Sequence, residues 1–180
     1  MRRCYFVQEL DGEDGGHVSC VGKVFKEEPG HSPVTEQDYF DEAMTQMVAE
    51  SYAQAFSRRL RPTSKLGRAA AARRAAAGGK GKVLGSGDAL TIAILPVSVL
   101  KFSSRSAPFA LMALEPHLPG NYVKHNDNTG RVETTQELPQ AFSHFTLEAS
   151  GHELVVCDIQ GVGSFYTVRY LRRTNPFQTV

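Results

Sequence analysis

The sequence predicts an α+β fold. Two strand-like segments, residues 4–10 and 18–25, come first. One long amphipathic segment follows over 35–56, and then further apolar strand-like runs with a second helix near the end. Strands and helices therefore arrive in blocks, without the strict alternation that builds a parallel sheet. At 180 residues, 41% hydrophobic and 22% charged, the chain can bury one core but not two full domains.

Each element has a local reason. Residues 4–10 and 18–25 flank DGEDGG, whose aspartates and glycines suit a hairpin connection. Over 35–56, Phe40, Ala43, Met44, Met47, Val48, Tyr52, Ala55 and Phe56 recur at three- and four-residue steps, behind Thr35 as N-cap and an acidic first turn. That stripe, methionines included, is expected in the core. From 58 to 82 the composition changes: Arg58, Arg59, Arg61, Lys65, Arg68, Arg73, Arg74, Lys80 and Lys82 are scattered through alanine and glycine with no acidic residue. With nothing apolar to pack, this reads as a disordered insertion. The functional alternative is a basic arm for RNA, acidic lipid or an acidic partner. It lacks interleaved aromatics, so nucleic acid is not the expected partner. Residues 90–102 and 109–114 read as strands and 121–125 as a short extended piece. A helix is expected over 139–149, with Pro139 near its start and Ser150 and Gly151 ending it, and 154–159 reads as the last strand.

The net charge of +1 points to no class of partner, because local fields decide that. Cys4, Cys20 and Cys157 have no metal-ligand spacing and cannot all pair internally, which favours buried thiols in a reducing compartment. MRRCYFVQEL lacks the apolar core of a secretory signal, and TIAILPVSVL is too short to span a bilayer. A cytoplasmic protein without a membrane partner is the expectation.

Several residues are candidates for chemistry. Lys23, in CVGKVFKEE, sits on a strand-like perch of the kind a phosphate-gripping lysine needs, and Lys26 is an equal candidate on composition. Glu115-Pro116-His117, leading into Pro119-Gly120, is where the chain changes direction; it is either an ordinary turn or a linker whose backbone meets an adenine edge. Lys124, Asn126 and Asn128 alternate along KHNDN, so an extended chain would put all three on one face, toward ribose and phosphate oxygens or toward solvent. His144 lies between Phe142 and Phe145 on a predicted helix, where a core position competes with a metal role. Asp158 and Gln160 end an apolar run two residues apart. A strand would turn both the same way, as two magnesium ligands require.

MRRCYFVQEL, VGKVF, QMVAESYAQAF, QAFSHFT and DIQGVGSFYT, in this order, resemble the alpha-kinase family over residues 1–167, interrupted by the basic insertion. The last two blocks are the most specific. The resemblance implies a two-lobed fold with an incomplete C-terminal lobe: strands and helix of an N-terminal lobe over 1–57, the insertion over 58–88, the rest of the catalytic domain over 89–167 and a divergent tail over 168–180. It implies transfer of the ATP γ-phosphoryl group to serine or threonine of a protein substrate, elongation factor 2 being one candidate. Lys23 would contact the phosphates with Arg2 helping, Glu115 would mark the adenine hinge, and Lys124 and Asn128 would lie along the nucleotide. Asp158 would stand by the substrate hydroxyl with Gln160 as a Mg2+ ligand, and His144 matches a Zn2+ ligand. The family continues YT-Asp-Pro-Gln, with that aspartate binding metal; here the position, ten residues beyond Asp158, is Val168. Neither the later glycine-rich loop nor the remaining zinc ligands have a counterpart in VRYLRRTNPFQTV, so a catalytically dead ATP-binding remnant stands as the alternative.

Overall fold

The computed structural model describes residues 2–10, 17–61, 68, 91–103 and 110–174. Among the described residues these elements follow one another: β1 (Arg2–Leu10), β2 (His17–Phe25), α1 (Glu36–Leu60), β3 (Ala93–Ile94), β4 (Ser98–Lys101), β5 (Leu111–Pro116), β6 (Val123–Lys124), α2 (Glu137–Ala149), β7 (Leu154–Val162) and β8 (Phe165–Arg173). They make two four-stranded sheets, one in the order β1-β2-β5-β4 and one in the order β3-β8-β7-β6. Every pairing is antiparallel except β3 with β8. The α+β expectation holds, and among the described residues no helix is long and apolar enough to cross a membrane.

The strands form where β-branched and aromatic residues alternate, and they stop where backbone chemistry forbids continuation. The apolar run predicted as one strand over 90–102 splits into β3 and β4 around Pro96, which has no N–H to give a ladder. Thr35 caps α1 through a full capping box: its hydroxyl accepts from the Asp38 N–H while the Asp38 carboxylate accepts from the Thr35 N–H at 2.7 Å. The helix runs on to Leu60, so Arg58 and Arg59 belong to its last turn, where cations meet the helix dipole favourably. The Arg59 guanidinium also lies over the Phe145 ring. The predicted insertion therefore starts later than residue 58, and nearly all of the rest of it, with the proposed basic arm, lies outside the described residues.

The buried face of α1 differs from the predicted one. Tyr39, Glu42, Ala43, Gln46, Ala49, Ala53 and Phe56 face inward, whereas Phe40, Met44 and Met47 are exposed, the methionines by 54% and 63%. Both stripes run at three- and four-residue steps. The inward stripe wins because its alanines let the helix approach the sheets closely and its two polar residues find partners there. The main core gathers Ala49, Ala53, Phe56, Ile92, Ile94, Phe142, Phe145, Val156, Ile159, Tyr166 and Val168 between α1, α2 and one face of the second sheet.

β8 is a strand the sequence reading left out, having assigned 168–180 to a divergent tail. Its signal is present: the alternation of FYTVRYLRR after a two-residue turn of Gly163 and Ser164, with Gly163 at φ 62° and the Val162–Phe165 pair closing the hairpin. Along β7 and β8 the two-residue period breaks once. Val156 and Ile159 both enter the core, three residues apart, as do Val168 and Leu171 across from them. The break falls at Asp158, whose φ of 56° is left-handed, a conformation aspartate tolerates better than most residues. Ladder pairing skips the Asp158–Arg169 position, between Cys157↔Tyr170 and Ile159↔Val168.

Two substitutions test this packing. A Cβ on Gly161 would collide with the Phe165 carbonyl and come within 2.8 Å of the Tyr166 Cα, both backbone groups that cannot turn aside. Gly161→Ala is expected to cost roughly 2 kcal/mol or more in denaturant unfolding. Val168 is 1% exposed inside the apolar core. Val168→Asp, although it restores the residue of the family pattern, should cost about 3 kcal/mol or more in the same assay, because the carboxylate would be buried without a partner.

Candidate functional site

A cavity of about 510 Å3 opens between the two sheets, within the usual size of a small-molecule site. Alternation along three neighbouring strands turns Arg2 and Cys4 of β1, Val21 and Lys23 of β2 and Glu115 of β5 into it. The opposing wall comes from Gln160 of β7 and Thr167 and Arg169 of β8, with Tyr122 and Leu95, and the chain from Pro116 to Gly120 closes one side.

Two ion pairs organise the first wall. Lys23 Nζ donates to Glu115 Oε2 at 2.5 Å, both side chains being largely buried. Glu115 Oε1 accepts from Gln46 Nε2 at 2.7 Å, so both oxygens of this 3%-exposed carboxylate are engaged. The same Gln46 takes the Val168 N–H on its Oε1 at 3.4 Å, which links the first sheet to the second. Arg2 pairs with Glu42 of α1, and its guanidinium centre lies 4.7 Å from the centroid of the Phe25 ring. Burial acts first on both partners: it pulls the Arg2 guanidinium below its ordinary value and pushes the Glu42 carboxyl up, with mutual attraction opposing each shift. Glu42 Oε2 and Arg2 Nε remain without partners.

The expected site residues divide. Arg2, Lys23, Glu115 and Gln160 meet at the cavity. Lys26, the equal candidate on composition, lines a different depression with Arg3 and Tyr39. Glu115 ends β5 as the hinge reading requires, but the neighbouring His117 N–H is already given to the Ser19 carbonyl at 2.9 Å. Lys124 and Asn128 are not among the lining residues. Lys124 stands half-exposed with Nζ 3.0 Å from Asp158 Oδ1, an ion pair without hydrogen-bond alignment, and Asn128 is exposed in a turn. Asn126 between them is buried under α2, donating to Gln140 and Ser143 and accepting from the Ile159 N–H, so the three residues do not share one face. Asp158, unlike Gln160, is not among the lining residues: its backbone is left-handed, and its carboxylate is paired with Lys124, the residue across the ladder from Gln160. His144 is exposed on α2 rather than packed between its phenylalanine neighbours.

These positions decide what metals the residues suit. Gln160 offers one neutral oxygen, Asp158 a carboxylate already paired, and Val168 none. Among the described residues no group of three or more His, Cys, Asp or Glu side chains converges. That set does not fit a Mg2+ held by the protein's own oxygens, nor a four-ligand Zn2+ site around His144. What the cavity can do is bind an anion. It places three cations, Arg2, Lys23 and Arg169, and a carboxamide around a space walled by Val21, Leu95 and Leu118. Sequence reasoning missed Glu42, Gln46, Tyr122, Thr167 and Arg169. For the two helix residues the signal was their place on the small-residue stripe with Ala43, Ala49 and Ala53.

His125, next to the Lys124–Asp158 pair, gives a pH test. It is buried, its Nδ1 lies 3.0 Å from the Thr134 hydroxyl, and burial holds its imidazole below the ordinary value. A depressed folded value means stability is fully present above the unfolded value, near 6.5, and is lost as pH falls below it. The urea midpoint should drop between about pH 7.5 and pH 5 in the wild type, and His125→Gln should flatten that profile.

Comparison with known proteins agrees with this architecture. The family model described as the Alpha-kinase family matches residues 1–168. Myosin heavy chain kinase B of Dictyostelium discoideum is 31% identical over 169 residues, covering 92% of this chain and 18% of that protein. Eukaryotic elongation factor 2 kinase of Rattus norvegicus is 31% identical over 174 residues, covering 93% and 20%. The solved alpha-kinase domain of myosin heavy chain kinase A in complex with ADP superposes with a TM-score of 0.64 at 28% identity, over 91% of this chain and 55% of that one. The chain thus spans about a fifth of these curated relatives and about half of the solved domain. By the family model over residues 1–168 and relatives 31% identical over more than nine-tenths of its length, the chain belongs to the alpha-kinase family.

Proposed function

We propose that the cavity between the sheets binds ATP and that the chain acts as an alpha-type protein kinase, transferring the γ-phosphoryl group to serine or threonine of a protein substrate in the cytoplasm. The observation that carries this reading is the Lys23–Glu115 pair, buried and facing Gln160 across the cavity. A lysine tethered by a carboxylate in a partly dry wall has its ammonium already oriented, and exchanging one anionic partner for phosphate oxygens needs little movement. Phosphoryl transfer asks a protein mainly for such positioning and for charge where charge develops. In this reading the substrate hydroxyl oxygen forms a bond to the γ-phosphorus as the bridging bond to ADP breaks, and the hydroxyl proton passes to Asp158 or to water. Related alpha-kinase domains in complex with ADP and with AMP-PNP support the nucleotide. The names of the relatives, kinases of myosin heavy chain and of elongation factor 2, support a protein acceptor, and a translation elongation factor is the substrate we assign.

One observation favours a second reading, nucleotide binding without transfer: Val168 lies in the core, where it offers no oxygen. A single assay separates the two. Radiolabelled γ-phosphate transfer to a threonine peptide and to elongation factor 2, with Mg2+ supplied, should proceed in the wild type. It should fall by at least about a hundredfold in Lys23→Met and in Asp158→Asn, the latter chosen because asparagine keeps the left-handed backbone. ATP binding with no transfer by the wild type would establish the second reading.

A further inference from the structure

We propose that Arg169 is a phosphate-contact residue of the nucleotide site, supplying from β8 cationic charge that the position of Val168 cannot recruit through a metal. The inference rests on the reading of the cavity as a nucleoside polyphosphate site and adds a residue that neither the sequence patterns nor the family resemblance assigns.

Three observations converge on it. First, alternation along β8 turns Tyr166 and Val168 into the core and leaves Arg169 lining the cavity, on the wall that also presents Gln160 and Thr167. Second, the other cations of the cavity are already matched, Arg2 by Glu42 and Lys23 by Glu115, whereas among the described residues no carboxylate pairs with Arg169. The lining carries three cations, Arg2, Lys23 and Arg169; with Arg2 matched by Glu42 and Lys23 by Glu115, the charge of Arg169 is in excess. That excess of positive charge in a partly enclosed space suits a ligand with several negative charges. Third, Arg169 is close enough to Arg2 for its charge to help hold the Arg2 guanidinium below its ordinary value. Two like charges facing one space are a cost in the empty cavity, and an anion between them removes it.

The residue type matters as well as the charge. A guanidinium presents a planar fork of N–H donors that meets two phosphate oxygens at once. It also needs no octahedral oxygen cage, and among the described residues no such cluster of carboxylates converges. A site built this way should bind ATP with little dependence on Mg2+ and should discriminate by phosphate, not by base.

The test is equilibrium binding of ATP, ADP and adenosine to the full chain by calorimetry, in EDTA and in Mg2+, with Arg169→Ala, Arg169→Lys and, as a control, Arg172→Ala, whose side chain does not line the cavity. Loss of one charge-assisted contact should weaken ATP binding by about tenfold in Arg169→Ala. Adenosine binding should be unchanged, Arg169→Lys should recover part of the loss, and Arg172→Ala should behave as wild type. Wild-type affinity for ATP should differ by no more than about threefold between EDTA and Mg2+. Unaltered ATP affinity in Arg169→Ala overturns the assignment while leaving the nucleotide site standing, as does an equal loss for ATP and adenosine. Abolition of wild-type binding by EDTA overturns the idea that arginine charge replaces a metal. Failure of the wild type to bind any of the three ligands overturns both the assignment and the nucleotide reading beneath it.

Discussion

One carboxamide sets the separation of the two sheets. Gln46, buried at the middle of α1, donates to Glu115 on the first sheet and accepts from the Val168 backbone on the second. Each bond is modest alone, of order 1 kcal/mol. Losing either would leave a buried polar group unsatisfied, which costs more than the bond contributes, so the helix has one seating where both are met. Lys23 depends on that seating. Its partner Glu115 is fixed on the other oxygen by Gln46, so the direction of the lysine ammonium is set from the helix through a shared carboxylate.

The Arg2–Glu42 pair works differently. Both groups are driven by burial toward their uncharged forms, which means that their attraction does not fully offset the loss of water. Such a pair specifies alignment more than it stabilises: α1 cannot slide along β1 without leaving a charge alone in the interior. The Phe25 ring supports the Arg2 guanidinium from a second side while Arg2 lines the cavity. The positive character of the cavity is thus a by-product of how the helix is clamped.

Elements whose logic is local were legible in the sequence. The Thr35 cap, the first hairpin strands, β5, α2 and the start of β7 follow from side-chain type and turn chemistry within a few residues. Lys23, Glu115 and Gln160 could be nominated from local sequence and Arg2 from the family resemblance, and all four line the cavity. What could not be read depends on distant contacts. The sequence offers two stripes on α1, and only the presence of Arg2, Glu115 and the β8 backbone selects the one with Glu42 and Gln46. Regular alternation was assumed across Asp158, but a single left-handed residue reverses the facing of everything before it. β8 was hidden because its residues depart from the family pattern, although FYTVRYLRR carries a strand's alternation on its own terms.

The seating chosen by α1 leaves Met44 and Met47 in water while Met112 lies almost wholly buried against Gly22. Thioethers differ in what oxidation does to them according to where they stand. Sulfoxide formation on the two helix methionines would replace apolar surface by polar surface that already faces solvent, with no packing to disturb. The same oxygen on Met112 has no room above a glycine whose missing side chain that sulfur already fills. Peroxide should therefore modify the outer pair first and spare the sheet, so that the exposed thioethers act as a sacrificial layer over the helix that carries Gln46.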